Sequence, residues 1–107
     1  MNSTTQFYGF YKDQNIAGII EITVTEKTLH INSLVVHPDF FRQGIARQLL
    51  DNLFANYYSP IYTVETGADN IPASNLYRSY NFTEINQYDT DHGVRKVRFE
   101  KLNLSTH

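Results

Sequence analysis

Residues 35–50, VVHPDFFRQGIARQLL, hold the residue types and spacing most able to do chemistry in this chain. An apolar run ends at Pro38, a turn containing Gly44 follows, and an amphipathic pattern begins at once. Such a junction aims several backbone N–H groups at one spot, because the first four N–H groups of a helix lack intrahelical partners. The positive end of the helix dipole adds to them, so the spot suits a phosphate. Arg42 and Arg47 flank the turn and would bring full charges to the same place. The chemistry suggested is the holding of a diphosphate.

That turn needs a strand before it and a helix after it, and the flanking sequence reads as both. LHINSLVVH (29–37) is a strand ended by Pro38 and Asp39, since proline cannot donate to a ladder. From Gly44 onward Ile45, Leu49, Leu50, Leu53, Phe54 and Tyr57 follow one helix face, with Arg47, Gln48, Asp51 and Asn52 opposite. The helix stops before Ser59-Pro60. Upstream, QFYGFYK (6–12) and IAGIIEITVT (16–25) read as a hairpin about Asp13-Gln14-Asn15, and a second turn near Glu26-Lys27 leads into the third strand. Downstream, IYTVET (61–66) is a fourth strand ended by Gly67. NIPASNLYRSY (70–80) is a short helix with Asn70 as its N-cap and Pro72 in its first turn. FTEINQYD (82–89) and VRKVRFEKL (94–102) close the chain as a hairpin. The predicted order is β-β-β-α-β-α-β-β. This is an α/β (α+β) fold with a mixed sheet, two helices and a right-handed parallel β-α-β crossover over 29–66.

With 107 residues the chain reads as one domain, 1–107, near the low end of what builds a core unaided. A net charge of −2 argues against a nucleic-acid coat or an anionic-membrane binder, which usually carry a basic excess. There is no cysteine, which excludes disulfides, a thiol nucleophile and thiolate metal sites. The four histidines are scattered and lack ligand spacing, so no metal site is expected. No apolar run approaches the roughly 20 residues of a membrane span. The polar start MNSTTQ does not read as a signal peptide, so a cytoplasmic location is expected. The fifteen aromatic residues, eight Tyr and seven Phe, cluster early in FYGFY (7–11). Large side chains filling a small core explain this, and a partner chain covering a strand that is aromatic on both faces is the alternative.

Two separated blocks of the chain resemble the GNAT family of N-acetyltransferases, which use acetyl-coenzyme A. In the family's Gln/Arg-x-x-Gly-x-Gly/Ala pattern, Gly44, Ile45 and Ala46 fill the second half and Arg42 and Gln43 the middle. The first position is Phe41, a departure that removes a polar side chain near the phosphates but not the N–H groups of residues 42–47. The other block, NIPASNLYRSYNF (70–82), is similar to the family's Asn-x-x-Ala-x-x-Leu-Tyr-x-x-x-Gly-Phe, with Asn70, Ala73, Leu76, Tyr77 and Phe82 in register. Asn81 replaces the family glycine, a mild change because Asn tolerates the left-handed conformation.

The resemblance implies a role for each matching position. Arg42, Gln43, Gly44, Ile45, Ala46 and Arg47 would clamp the pyrophosphate of coenzyme A. Leu34, Val35 and Val36 would offer backbone groups to the pantetheine arm, slotted between this strand and the next. Asn70 would touch the coenzyme, although a plain N-cap explains it equally well. Tyr77 would be the general acid that protonates the leaving thiolate, a sensible task for a phenol with pKa near 10. The base is left between Glu65, near the end of the fourth strand, and His30, which titrates in a useful range. His37 reads as structural. Acetyl would pass directly from acetyl-coenzyme A to a small-molecule or peptide amine. A non-catalytic module that binds acyl-coenzyme A is the alternative.

The resemblance further implies a short member, without the strand and two helices that usually precede the hairpin and help shape the acceptor site. Strand 6–12 then becomes an exposed aromatic edge. Exposed edges invite pairing, so a homodimer through this strand is expected.

Overall fold

The computed structural model describes residues 3–103 and contains six strands and two α-helices. In chain order these are β1 (Thr4–Lys12), β2 (Asn15–Val24), β3 (Thr28–Val36), α1 (Ile45–Asn56), β4 (Ile61–Gly67), α2 (Ile71–Ser79), β5 (Thr83–Asp89) and β6 (Arg95–Leu102). The expected order is the observed one, and the element bounds differ by a residue or two. A 3-10 turn at Pro38–Phe40 joins β3 to the loop before α1. Residues 1, 2 and 104–107 of the expected 1–107 domain lie outside the described residues.

All six strands form one sheet in the order β1-β2-β3-β4-β6-β5. Only β3 and β4 run parallel, joined by α1, as a crossover of this kind requires. The first hairpin turns on Asp13 and Gln14, both with positive φ (53° and 69°), the geometry whose twist matches the flanking strands. Asn15, expected in the turn, already belongs to β2 and faces Lys12.

Both helices lie on one face of the sheet. The face of α1 read from the sequence is the one it buries: Ile45, Leu49, Leu50 and Leu53 pack into a core with Ile20, Ile22, Leu29, Ile31, Val64 and Phe99. Burying each large aliphatic side chain is worth about 1.5–3 kcal/mol, so this stripe is what holds the helix on the sheet. Phe54 of α1 meets Tyr62 edge-on at a centroid distance of 5.0 Å, and Tyr62 is almost fully buried. Alternate residues on the strands, among them Phe7, Tyr11, Ile19 and Val35, point to the other face, which no helix covers.

Two local features set the position of the helices. A β-carbon on Gly18 would lie 2.9 Å from Ile45 Cγ2 and 3.1 Å from Leu49 Cδ1, so only glycine lets α1 seat this close on β2. At the end of α2, Asn81 has φ 70°. The Phe82 N–H donates to the Tyr77 carbonyl at 3.1 Å and the Asn81 N–H to the Arg78 carbonyl at 2.9 Å. This is a Schellman cap, completed by the ring contact between Tyr77 and Phe82 at 5.6 Å. The asparagine that replaces the family glycine therefore does adopt the left-handed conformation.

Gly18→Val should destabilise the protein by about 1–3 kcal/mol, the usual cost of overpacking. Urea denaturation measures it, and a midpoint equal to that of the unsubstituted protein would contradict the close seating.

Candidate functional site

The β3–β4 ladder is short. It pairs Thr28–Ile31 with Ile61–Val64, four residue pairs, and stops. Beyond that point Ser33–Val36 still pair with β2 and Glu65–Gly67 still pair with β6, so the two strands part into a fork. The cause lies on the β2 side, where the register slips between Glu21 and Ile22 and leaves Asn32 without an opposite residue. A bulge of this kind bends its strand and increases the local twist, here carrying the rest of β3 away from β4. Asn32 is held in place by donating from Nδ2 to Thr23 Oγ1 at 2.7 Å.

On the helix side the fork opens into a groove of about 880 Å³. Its walls are Leu34, Val35 and Val36 of β3, the residues around the start of α1, and Asn70, Pro72, Ala73, Leu76 and Tyr77 from α2 and its cap. Of the sequence-derived site residues, Leu34, Val35, Val36, Arg42, Gly44, Ile45, Ala46, Arg47, Asn70 and Tyr77 come together here.

At one end of the groove sits the start of α1. Gln48 N–H makes the first helical bond, to the Gly44 carbonyl at 3.0 Å. The six amides of residues 42–47 make no hydrogen bond to any described residue, and no side chain caps the helix. Arg42 (φ 65°) and Gly44 (φ 75°) are both left-handed, which curls the loop around these amides. For arginine that conformation costs about 1–2 kcal/mol. Strain of this kind concentrates at ligand sites. Unpartnered N–H groups at a helix N-terminus are of the kind that suits a phosphate group. Arg42 makes no ion pair or hydrogen bond with described residues. Arg47 is more committed, its Nη2 donating to Ser79 Oγ at 3.3 Å and its guanidinium lying over the Tyr80 ring at 5.6 Å. Gln43 does not line the groove, and its Oε1 accepts from Lys12 Nζ at 2.6 Å. Phe41 is 58% exposed at the groove's edge.

Asn70 caps α2, its Oδ1 accepting from the Ala73 N–H at 3.2 Å, which leaves Nδ2 for the groove. Tyr77 is buried and packs against Phe82 and Phe99. Its hydroxyl has no partner among the described residues, yet the residue lines the groove. Burial pushes its phenol up to about 12, so at neutral pH it is a proton donor.

Glu65 and His30 lie elsewhere. Tyr62 and Val64 face the helices, so Thr63 and Glu65 face the uncovered side of the sheet. Glu65 therefore reaches the fork from the side opposite Tyr77. Its Oε1 accepts from the Tyr88 hydroxyl at 2.8 Å and its Oε2 from Arg98 Nη1 at 3.4 Å. His30 lies on the same face, with Nδ1 2.6 Å from Thr63 Oγ1. Burial lowers the His30 pKa, and this outweighs the opposing effect of Glu65. Tyr88 and Arg98 went unnoticed in the sequence. They lie in the closing hairpin, whose only visible signal was its strand pattern. His37 accepts from the Asp39 N–H at 3.1 Å and caps the 3-10 turn, the structural role expected of it.

Comparison with known proteins agrees with this architecture. The chain is 33% identical over 93 residues to UPF0157 protein YqkA of Bacillus subtilis, covering 86% of this chain. It spans only about a quarter of that relative's length (27%). The ribosomal-protein-S18-alanine N-acetyltransferase of Escherichia coli superposes with a TM-score of 0.83 at 22% identity, over 95% of this chain and 72% of that one. A Bacillus subtilis acetyltransferase in complex with CoA superposes with a TM-score of 0.79 at 19% identity, over 94% and 78% of the two chains. The family model of the acetyltransferase (GNAT) domain matches residues 1–103, and the chain belongs to that family.

Proposed function

We propose that this chain is an N-acetyltransferase that passes acetyl directly from acetyl-coenzyme A to an amine. The observation that carries this reading is the groove, with six unpartnered amides at one end and an unpartnered phenol in its wall. Acetyl-coenzyme A supplies an acetyl group on a thioester, and transfer breaks the C–S bond as the C–N bond forms. The amides of 42–47 would hold the pyrophosphate, with Arg42 adding charge. Backbone groups of Leu34–Val36, freed by the fork, would align the pantetheine arm. Tyr77 would deliver its proton to the departing sulfur, and Glu65 would take one from the incoming ammonium. His30, neutral at physiological pH because burial lowers its pKa, is the second candidate for that proton. The acceptor would be a small-molecule or peptide amine. A net charge of −2 mildly favours a cationic one.

One feature favours the second reading, a module that binds acyl-coenzyme A without turnover. Phe41 places an exposed aromatic ring where the family carries a polar side chain. The two readings agree on binding and part on transfer.

A homodimer belongs to the same proposal. β1 is an edge strand, and Phe7 (66% exposed) and Tyr11 (65% exposed) stand on the uncovered face beside Ile19 and Val35. Their neighbours Tyr8 and Phe10 turn inward and pack against the core.

Coenzyme A at 100 times its dissociation constant should stabilise the protein by about 2.7 kcal/mol. Tyr77→Phe should keep that stabilisation while turnover falls about 10²–10⁴-fold, the usual worth of a general acid. Unchanged turnover would remove Tyr77 from the mechanism, and binding without turnover across a broad amine panel would favour the module. Light scattering at micromolar concentration should give twice the 12.4 kDa chain mass, and a monomer mass would refute the dimer.

A further inference from the structure

Glu65 is fixed from two directions by residues on different strands. Arg98 is its direct cross-strand partner on β6 and reaches Oε2 with Nη1 at 3.4 Å. Tyr88 comes from β5, one strand further out, and its hydroxyl reaches Oε1 at 2.8 Å.

The second contact depends on an irregularity. The β5–β6 register slips between Glu84 and Asn86, so Ile85 has no opposite residue. A regular ladder continuing from the Glu84–Phe99 pair would set Tyr88 opposite Arg95 and turn it to the helix face. With the slip, Tyr88 pairs with Lys96 and shares the uncovered face with Asn86, Arg98 and Glu65. The bulged Ile85 is left 51% exposed. The two bulges act on the same place, since one opens the fork beside Glu65 and the other brings a hydroxyl to that carboxylate.

A glutamate side chain free to rotate at a strand end spreads over many rotamers. Two charge-assisted hydrogen bonds, one to each carboxylate oxygen, select one orientation. A carboxylate has about four acceptor sites, so two remain for another group. Glu65 is 23% exposed at its side chain, so those sites stay accessible.

We infer that Tyr88 and Arg98 are positioning residues that hold the Glu65 carboxylate at the fork, with its remaining lone pairs toward the acceptor amine. The inference rests on the reading of Glu65 as the group that takes the amine proton. The bond to Glu65 is the main cause of the upward shift of the Tyr88 phenol, which keeps that hydroxyl a donor. The other groups on this face near Glu65 are His30 with Thr63, and Glu100 and Lys96 of β6.

The test is a double-mutant cycle read in kcat and in the KM for acetyl-coenzyme A. Glu65→Gln reports on the underlying reading alone. Tyr88→Phe, which removes one oxygen and keeps the ring, and Arg98→Gln should each lower kcat about tenfold, as for a hydrogen bond to a charged group. The KM for acetyl-coenzyme A should not change, and Arg98→Lys should recover part of the loss. In the Glu65→Gln background neither substitution should lower kcat further. A full tenfold loss in that background would mean that Tyr88 or Arg98 acts independently and would overturn the inference. So would an unchanged kcat in Tyr88→Phe when Glu65→Gln is impaired. If Glu65→Gln itself turns over normally, the reading of Glu65 as base fails, and the positioning role fails with it.

Discussion

The site depends on the failure of one ladder to continue. A parallel pair between β3 and β4 lasts from Thr28–Ile61 to Ile31–Val64, and the bulge at Asn32 then carries β3 away. Backbone groups deprived of a strand partner are costly when buried and useful when a ligand can meet them. Here they line a groove, and the two elements that wall the groove are each set by a local device. Gly18 lets α1 sit low enough on β2 to bring its bare N-terminus to the groove. The Schellman cap at Asn81 ends α2 and ties the Tyr77 carbonyl and ring to Phe82, leaving the hydroxyl as the part of that side chain still unengaged.

The two sides of the sheet divide the chemistry. The helix side offers N–H donors, a cation and a protonated phenol, which suit negative charge and a leaving group. The uncovered side offers a carboxylate and an imidazole that burial keeps neutral, which suit the loss of a proton from an amine. The fork is where the two sides meet. Glu65 and Tyr77 therefore do not compete for the same space, although both belong to one proposed reaction.

Much of this was readable in the residues. The apolar period of Ile45, Leu49, Leu50 and Leu53 gave α1 and its buried face, because packing against the sheet rewards that period alone. The residues of 70–80 indicated α2 and its Asn70 cap, whereas the place of the Tyr77 phenol at the site was implied by the family resemblance. The fork was an expectation from family resemblance; nothing in LHINSLVVH marks Asn32 as the residue to bulge, since the slip comes from pairing with a neighbouring strand. The left-handed Arg42 was invisible because arginine has no preference for that conformation, and tertiary structure imposes it. The partners of Glu65 were hidden for a similar reason. β6 inserts between β4 and β5, and a single unpaired residue at Ile85 decides which way Tyr88 points.

The four residue pairs that join β3 to β4 also form a seam. On one side stand β1, β2 and β3, and on the other β4, β6 and β5, each an antiparallel three-stranded sheet. Between them run the short parallel ladder, the His30–Thr63 contact across it, and α1, which packs on β1, β2 and β3 and sets Phe54 against Tyr62 of β4. A molecule seated in the fork would bridge both sheets, acting as mortar as well as reactant. Rigidity and occupancy are thereby thermodynamically linked: the protein should be softest along the line where it works, and filling that line should stiffen the whole sheet.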